Sequence, residues 1–432
     1  MITPNKQQFE AIVKICDWYK TQTKQKQIFV LSGYAGTGKT TLINHIINDI
    51  FKLNKNEVAF ATPTGKAASV LIQKGANATT IHRLIYCPVI KERDTEINGK
   101  CFHTKKVEFV KRKDIGSYKL IVLDEISMVG KKIMEDLLSY GVPILACGDK
   151  AQLPAILTDS HDLLQKPDYM LTEVVRQSKD NAIIDIATKV RLGQPILDGN
   201  YNNQVYVINR HDLTNNEFIN FLLEADQVIC GKNNTRIKLN EIIRKNKNIK
   251  STLPIDGEKI ICDLNNYDCD FDDRYSLVNG MSGTVSNFKI LDEKLKLATI
   301  SFKPDFCKET KNNMLIEYDI FNNNEYKYEK HQEVYLMGDG SYCLATPMYK
   351  LSNKNPEHKN LIRKEFLVKK MAIGTFMINQ FQYGYAISCH KAQGSQWDYV
   401  VVIDEHKAFS NDGDKWLYTA ITRAAKKLVI IR

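Results

Sequence analysis

Several features that would restrict the function are missing from this sequence. It has no run of about eighteen apolar residues that could cross a bilayer as a helix. Its ten cysteines form no C-x-x-C pair and have no histidine-rich segment beside them, so neither a zinc site nor a disulfide framework is favoured. Its first residues (MITPNKQQFEAIVKI) have no apolar core behind a basic start. We therefore expect a cytoplasmic protein, or one in the nucleic-acid compartment of a host cell, with no membrane and no zinc.

The bulk composition is that of a folded globular chain. Of the 432 residues, 43% are hydrophobic and 25% are charged, and this length predicts about two to four domains. The net charge of +10 makes a polyanion a plausible partner, but a solvated basic surface explains it equally well. Charge alone therefore leaves the partner open.

A glycine-rich segment (GYAGTGKTT) fits the phosphate-loop pattern G-x-x-x-x-G-K-T. The apolar stretch 27–32 before it predicts a buried strand, and 40–51 after it has apolar residues at helical spacing. Glycines let backbone N–H groups surround a phosphate, and the following helix directs its positive dipole end at the same point. The predicted nucleotide contacts are Gly33, Ala35, Gly36, Thr37, Gly38, Lys39, Thr40 and Thr41. Lys39 is expected to reach the β- and γ-phosphates of ATP, and Thr40 to ligate Mg²⁺.

Two later strands end in residues suited to nucleotide hydrolysis. The apolar stretch 118–123 runs into Asp124 and Glu125. Asp124 is expected to hold Mg²⁺ through its water shell, and Glu125 to orient and deprotonate the attacking water. The stretch 143–147 precedes a turn whose Gln152 could sense the γ-phosphate, although a plain Gly, Asp and Pro turn explains the same residues.

Further polar residues lie near these predicted strand ends. Gln8, in the first amphipathic helix, could pair with adenine through its amide, or could face solvent. Pro63 and Thr64 follow the predicted strand 58–61, where a second anion such as a nucleic-acid phosphate could bind. For Thr80 and His82 a helix cap and a surface histidine are equally good interpretations.

The segment between Tyr86 and Tyr118 differs in composition from its surroundings. It contains an Asn98-Gly99 turn signal and a basic run at 100–113, which together predict an inserted hairpin at about 86–117. Phe102 and Phe109 lie among the lysines, a mixture that suits contact with bases. A solvated hairpin with two anchoring rings remains an equal alternative.

Three motifs of the second half follow in a fixed order: LTEVVRQ at 171–177, YAISCHKAQGSQ at 385–396 and LYTAITRA at 417–424. Together with the first-half motifs, this set resembles the superfamily-1 DNA helicases of the RecD and phage Dda type over nearly the whole chain. Ala155 stands where the family often has proline, and Ser388-Cys389 where threonine and a branched residue are usual. Neither departure removes a reacting group.

The resemblance implies roles for individual residues. It makes Gln8 the adenine-reading glutamine and Gln152 the γ-phosphate sensor. Arg176 and Arg423 would be two arginines that reach the γ-phosphate from the second domain. Five residues are expected to contact the DNA strand or to couple it to ATP: Thr64, His82, His390, Lys391 and Gln393. Pro63, Thr80 and Phe102 are also expected to contact DNA.

The sequence and the resemblance predict an α/β fold of two RecA-like domains with parallel sheets, each carrying an insert. The expected limits are 1–170 for the first domain, 171–287 and 374–432 for the second, and 288–373 for a barrel-like β insert preceded by the glycine turn at 279–285. The expected function is ATP-driven translocation on single-stranded DNA, 5′ to 3′, with unwinding at duplex junctions, by a monomer. A translocase that strips bound proteins and a nucleotide-dependent binding switch are the alternatives. A P-loop kinase is disfavoured because no second substrate would explain the paired arginines and the motif around Gln393.

Overall fold

A computed structural model of the chain describes residues 3–73, 75–97, 100–154, 162–175, 181–271, 275–305, 307–321, 333–344 and 372–432. These residues form two compact units. Unit 1 comprises 1–207, 393–396 and 406–428. Unit 2 comprises 208–392, 397–405 and 429–432. The domain limits expected from the sequence stay a prediction.

The helices of the described residues are, in chain order, α1 (Lys6–Asp17), α2 (Lys39–His45), α3 (Gly65–Gln73), α4 (Ile81–Ile85), α5 (Lys131–Leu138), α6 (Ala182–Arg191), α7 (Asn215–Glu224), α8 (Asn233–Asn246), α9 (Cys389–Ala392) and α10 (Gly413–Ile421). α1 and α2 each continue into a turn of π-helix, at Trp18–Gln22 and Ile46–Phe51. The predicted helix after the glycine-rich loop is therefore present as two consecutive pieces. None of the helices in the described ranges is long and apolar enough to cross a membrane.

The strands of unit 1 are β1 (Ile28–Gly33), β2 (Val58–Thr62), β3 (Ala78–Thr80), β4 (Tyr86–Ile97), β5 (Lys100–Lys111), β6 (Leu120–Leu123), β7 (Ile144–Gly148), β8 (Tyr169–Leu171) and β9 (Gly199–Tyr201), followed by β10 (Val205–Ile208), which begins there. Six of them form a sheet in the order β3-β2-β6-β7-β1-β8. The strand pairs described for this sheet are all parallel. The predicted strand 118–123 is shorter than expected, because β6 begins only at Leu120.

Alternate residues of these strands are buried on opposite faces of the sheet. Phe29 and Leu31 pack in one core with α1 and α2, and Val30 packs in the other with α4 and α5. Successive side chains of a strand point to opposite faces, so a sheet covered on both sides needs continuous apolar runs. This requirement explains why the strand sequences (IFVLS, LIVL and ILACG) are almost wholly apolar.

β4 and β5 form a long antiparallel ladder, from the pair Tyr86↔Lys111 to the pair Ile97↔Lys100. This ladder occupies the place of the predicted hairpin. The Asn98-Gly99 turn and the side chain of Phe102 lie outside the described residues. The ring of Phe109 is described and is 53% exposed.

The strands that begin in unit 2 are β11 (Gln227–Cys230), β12 (Lys259–Cys262), β13 (Asn266–Phe271), β14 (Tyr275–Leu277), β15 (Ser282–Asp292), β16 (Leu297–Pro304), β17 (Lys311–Glu317), β18 (Glu333–Met337), β19 (Tyr342–Leu344), β20 (Ala372–Met377), β21 (Phe381–Tyr383), β22 (Ala386–Ser388) and β23 (Trp397–Ile403). The last strand of the chain, β24 (Ala424–Ile431), ends in the same unit.

Unit 2 contains both a parallel and an antiparallel arrangement. β11 pairs in parallel with β22 and with β23. A five-stranded sheet has the order β17-β16-β15-β12-β21, and its pairs are antiparallel. β12 and the first residues of β15, which begins at Ser282, belong to this sheet but precede residue 288, where the predicted insert begins. Of the predicted insert, residues 306, 322–332 and 345–371 lie outside the described residues.

Candidate active site

The glycine-rich loop connects β1 to α2 through two residues in the left-handed backbone region. Gly36 has φ +79° and Gly38 has φ +77°, values that favour glycine because it has no Cβ. A Cβ on Gly38 would also come within 2.9 Å of the Gln8 side chain. The sequence pattern is therefore required both by the turn and by the packing beside it.

Lys39 begins α2 and folds back over the loop. Its Nζ donates hydrogen bonds to the carbonyl oxygens of Gly33 (2.5 Å) and Tyr34 (3.0 Å). Thr37 Oγ1 also donates to Tyr34 O, at 2.8 Å. Thr40 and Thr41 follow in the first turn of α2, where Thr40 is half-buried and Thr41 is exposed. The lysine ammonium is thus held at the mouth of the loop.

Gln8 lies under the loop. The alternative interpretation, that its side chain faces solvent, is therefore wrong. The residue is buried, and its Nε2 donates to Thr37 O at 3.1 Å. Its Oε1 accepts from Asn5 N at 3.1 Å, while Asn5 Oδ1 accepts from Gln8 N at 2.8 Å. This reciprocal pair is a capping box that begins α1. The predicted contact of Gln8 with adenine stays a prediction.

Asp124 and Glu125 follow β6 at the same edge of the sheet. Asp124 Oδ1 accepts from Glu125 N at 2.9 Å and from the Cys147 thiol at 3.2 Å. Glu125 adopts φ +56°, a left-handed conformation that costs a non-glycine residue about 1–3 kcal/mol. Strain of this size is retained where the surrounding structure fixes a side chain in place, as at active sites.

The surroundings of Glu125 favour its protonated form. The pKa of Glu125 is raised to about 7, and the largest cause is burial of its carboxyl group. Other atoms of the residue are partly exposed. The carboxylate of Asp124 raises this pKa further, the positive charges of Arg423 and Lys39 lower it, and Asp149 raises it. A carboxyl group with a pKa near neutrality is well matched to accept a proton from water.

The loop after β7 carries Asp149 and Gln152. Asp149 is buried, and its main-chain oxygen accepts from Gln152 N at 3.2 Å. Gln152 is also buried, and its Oε1 has no hydrogen-bond partner among the described residues. A buried acceptor of this kind is costly unless something donates to it.

Residues from the last part of the chain contact this loop within unit 1. The Tyr418 hydroxyl donates to Asp149 Oδ2 at 2.7 Å and accepts from Ala35 N at 2.9 Å. Thr419 Oγ1 accepts from Leu153 N at 2.9 Å, and Gln393 Nε2 donates to Leu153 O at 2.9 Å. The glycine-rich loop, the loop after β7 and α10 are thus joined by hydrogen bonds.

Arg423 is buried just beyond the end of α10. Its guanidinium donates to Thr419 O at 3.0 Å and to Ser395 O at 3.2 Å, and its charge acts on Glu125. Arg176 lies outside the described residues. The residue before it, Val175, donates its N–H to Gly36 O at 3.1 Å.

The chain matches two protein families in sequence. Residues 4–212 match the family described as AAA domain, and residues 383–431 match the UvrD-like helicase C-terminal domain. The ATP-dependent DNA helicase dda of Enterobacteria phage T4 is 28% identical over 249 residues, which cover 52% of this chain and 54% of that protein. The ATP-dependent RecD2 DNA helicase of Deinococcus radiodurans is 33% identical over 169 residues, which cover 37% of this chain and 21% of that protein.

The fold also matches a solved structure. The Pif1 helicase from Bacteroides, in complex with ADP-AlF3 and ssDNA, aligns with a TM-score of 0.51 over 100% of this chain and 92% of that one, at 18% identity. Together, the two family matches and these relatives support the assignment of the chain to the superfamily-1 helicases of the RecD and Dda type. The predicted family and the α/β fold with RecA-like domains are thereby confirmed, while the two inserts stay predictions.

Four of the residues expected to contact DNA lie in unit 1, at the ends of β2 and β3 or just after them. Pro63 and Thr64 follow β2, and Thr64 Oγ1 accepts from Ala67 N at 3.3 Å at the start of α3. Thr80 caps α4 by accepting from Arg83 N at 3.2 Å. Burial lowers the pKa of His82, whose ring centroid lies 5.5 Å from that of Tyr86. Capping and ring contact therefore explain part of this cluster.

The remaining expected DNA contacts are divided between the units. His390 and Lys391 lie in α9 of unit 2, where the Lys391 ammonium forms an ion pair with the buried carboxylate of Asp263. Gln393 belongs to unit 1 and bonds Leu153 O. The roles of these residues toward DNA stay predictions.

Sequence reasoning missed three residues of the site. Tyr418 and Thr419 lie in the LYTAITRA motif, which by itself predicts no role for them, and the sequence around Asp149 predicts only a turn. Their partners are far away in the chain, so only the presence of the motifs pointed to them. For Gln8, in contrast, the Asn5-x-x-Gln8 spacing was a local signal for a capping box.

The raised pKa of Glu125 predicts a pH-dependent gain in stability for Glu125→Gln. The folded-state value of about 7 lies above the usual 4.5, so the charged carboxylate opposes folding increasingly from pH 4.5 to 7 and fully above that. The free energy of unfolding of Glu125→Gln, relative to the wild type, should therefore be higher at pH 8 than at pH 4. Urea denaturation at both pH values measures it. Glu135→Gln removes an exposed carboxylate as the control. An equal difference at the two pH values contradicts the raised pKa.

Proposed function

We propose that this chain is an ATP-driven motor that moves along single-stranded DNA in the 5′ to 3′ direction and unwinds duplex DNA. The observation that carries the proposal is the clustering of hydrolytic groups in unit 1. Glu125, with its pKa near neutrality, lies beside Asp124 and within the electrostatic reach of Lys39 and Arg423. A protein that only binds nucleotide has no need for a base and two cations in one place.

The residues present fit ATP as the substrate. The loop after β1 offers backbone N–H groups and the Lys39 ammonium to the phosphates, and Gln8 lies beneath it for the base. Mg²⁺ bound by the Thr40 hydroxyl and, through water, by Asp124 would neutralise charge between the β- and γ-phosphates. The donor set of hydroxyl and carboxylate oxygens suits a hard cation of this kind.

The hydrolytic step follows from the positions of the side chains. Glu125 accepts a proton from water, the water oxygen bonds to the γ-phosphorus, and the bond from that phosphorus to the β–γ bridging oxygen breaks. ADP and inorganic phosphate leave. The free acceptor of Gln152 would orient the attacking water, and Arg423 would stabilise the charge that develops on the γ-phosphoryl group.

DNA as the partner is supported by the family and by the sheet edge. Thr80 is the last residue of β3, and Thr64 and His82 follow β2 and β3, at the edge where ligands bind in open parallel sheets. The relatives from phage T4 and Deinococcus are named DNA helicases, and the Pif1 structure contains single-stranded DNA. The chain spans 54% and 21% of the two relatives, so their activity is carried over as part of this proposal. We further propose that the chain works as a monomer in the cytoplasm or wherever the host keeps its DNA.

One assay tests the proposed function. Duplexes with a 5′ tail or a 3′ tail are incubated with the protein, with and without ATP, and the displaced strand and the released phosphate are measured. We expect displacement from the 5′-tailed duplex only, in the presence of ATP, and ATP hydrolysis that single-stranded DNA stimulates strongly. DNA-stimulated hydrolysis that clears a protein block but displaces no strand would identify a stripping translocase. Nucleotide-dependent DNA binding without hydrolysis would identify a binding switch, and either result contradicts the proposal.

Replacement of Arg423 separates catalysis from binding. We expect Arg423→Ala to reduce turnover by roughly 10³ to 10⁵, the range of transition-state arginines in P-loop enzymes, with ATP affinity near that of the wild type. Arg423→Lys retains the charge but not the forked donor and is the matched comparison. Steady-state hydrolysis and equilibrium nucleotide binding measure the two effects. A variant that binds ATP poorly but hydrolyses the bound ATP at the normal rate would make Arg423 a ground-state ligand.

The hairpin of β4 and β5 is the proposed wedge at the duplex junction. An aromatic ring that stacks on an exposed base contributes about 1 to 3 kcal/mol, and Phe102 is nearer the turn than Phe109. Phe102→Ala should keep DNA-stimulated ATP hydrolysis but lose much of its strand displacement. Phe109→Ala is the control and should mainly perturb the base of the hairpin. Wild-type unwinding by both variants would mean that the junction is met elsewhere.

A further inference from the structure

Tyr418 connects two loops of the nucleotide site that are far apart in the sequence. The residue is 2% exposed and lies in α10. Its hydroxyl lies between Ala35 N, from which it accepts at 2.9 Å, and Asp149 Oδ2, to which it donates at 2.7 Å. One oxygen atom thus joins the glycine-rich loop after β1 to the loop after β7.

The partner on the β7 side is fixed at both carboxylate oxygens. Asp149 Oδ2 is held by Tyr418, and Asp149 Oδ1 accepts from Ala151 N at 2.9 Å. The Asp149 carbonyl accepts from Gln152 N. A change in the position of Asp149 would therefore move Gln152, the residue with the free buried acceptor.

The same helix holds the far end of that loop. Thr419, next to Tyr418, accepts from Leu153 N, and Arg423 donates to the carbonyl of Thr419. Two of the side chains expected at the γ-phosphate, Gln152 and Arg423, therefore belong to segments that this helix holds by hydrogen bonds. Placement of this helix determines where both of them lie relative to the glycine-rich loop.

The glycine-rich loop makes a further contact next to Ala35. The guanidinium of Arg191 lies 3.6 Å from the centre of the Tyr34 ring, and the Tyr34 carbonyl accepts from Lys39. Tyr34 precedes Ala35, so the contact of the Tyr34 ring with Arg191 and the bond from Ala35 N to the Tyr418 hydroxyl hold adjacent residues of the loop. Stacking of this kind is well suited to a planar guanidinium.

The hydroxyl has a defined hydrogen-bonding direction. Burial, and next the charge of Asp149, raise the pKa of Tyr418 far above its ordinary value, so the group stays protonated. Its proton goes to the Asp149 carboxylate, and its lone pair accepts the Ala35 N–H. A phenylalanine ring could fill the same space but could make neither bond.

We infer that Tyr418 is a positioning residue for ATP hydrolysis, whose hydroxyl fixes the glycine-rich loop relative to the loop that carries Gln152. The inference depends on the proposed function, because it concerns the same reaction. Tyr418 does not contact the reacting atoms. It acts through Ala35 and Asp149.

Tyr418→Phe tests the inference by removing one oxygen atom. We expect kcat for ATP to fall by about 10²-fold, the effect of a misplacement of roughly 1 Å, while KM and the affinity for a non-hydrolysable ATP analogue stay within about three-fold. Tyr169→Phe is the matched control, because its hydroxyl also donates to a carboxylate, Glu10 Oε2 at 2.7 Å, in the same unit. This control should leave kcat unchanged.

A double-mutant cycle with Asp149→Ala, which removes the acceptor of the Tyr418 hydroxyl, identifies the partner. If Tyr418 acts through Asp149, the losses in kcat of the two single variants should not add in the double variant. Three results would overturn the inference: full kcat in Tyr418→Phe, a loss that appears only in KM, or a lowered thermal midpoint with unchanged kcat per folded molecule. A wild-type protein that hydrolyses no ATP would instead refute the proposed function, so the two failures are distinguishable.

Discussion

The parallel pairing of the unit 1 sheet is the constraint on which the site depends. Because its strands run in one direction, their carboxyl ends meet at one edge, and every predicted reacting group of this unit's sheet follows such an end. The glycine-rich loop follows β1, Asp124 and Glu125 follow β6, and Asp149 follows β7. These strands are neighbours in the order β6-β7-β1, so segments more than a hundred residues apart in the chain converge on one place. The continuous apolar strand sequences that bury both faces thus also create the site.

The charges at that edge are balanced against one another. Three carboxylates (Asp124, Glu125 and Asp149) lie near two cations, and the net effect on Glu125 is a pKa of about 7. Burial alone would disfavour the ionised form, and the cations oppose this effect. The pKa of Glu125 therefore depends on the position of α10 as well as on β6, because Arg423 lies just beyond the end of that helix. Geometry and basicity are therefore coupled.

The sequence could predict most of what is local and little of what joins distant segments. The glycine-rich loop and the acidic strand end combine a motif with an apolar strand within a few residues, and both were placed correctly. The shortening of β6, the burial of Gln8 and the ion pair of Lys391 depend on tertiary packing that periodicity does not report. Tyr418 and Asp149 are 269 residues apart, so no local pattern could connect them. The order of motifs identified the family but did not show which side chains bond each other.

The bonds that join these distant segments are directed largely at the backbone. Tyr418 accepts from Ala35 N, Thr419 accepts from Leu153 N, and Gln393 donates to Leu153 O. Each of these contacts needs a particular side chain on one partner. On the other partner it uses a backbone N–H or C=O group, which nearly every residue has. These bonds to Ala35 and Leu153 therefore constrain the backbone of the two loops and do not themselves depend on the side chains at these positions. Contacts of this kind are compatible with a fold that matches a solved structure along the length of this chain at 18% identity.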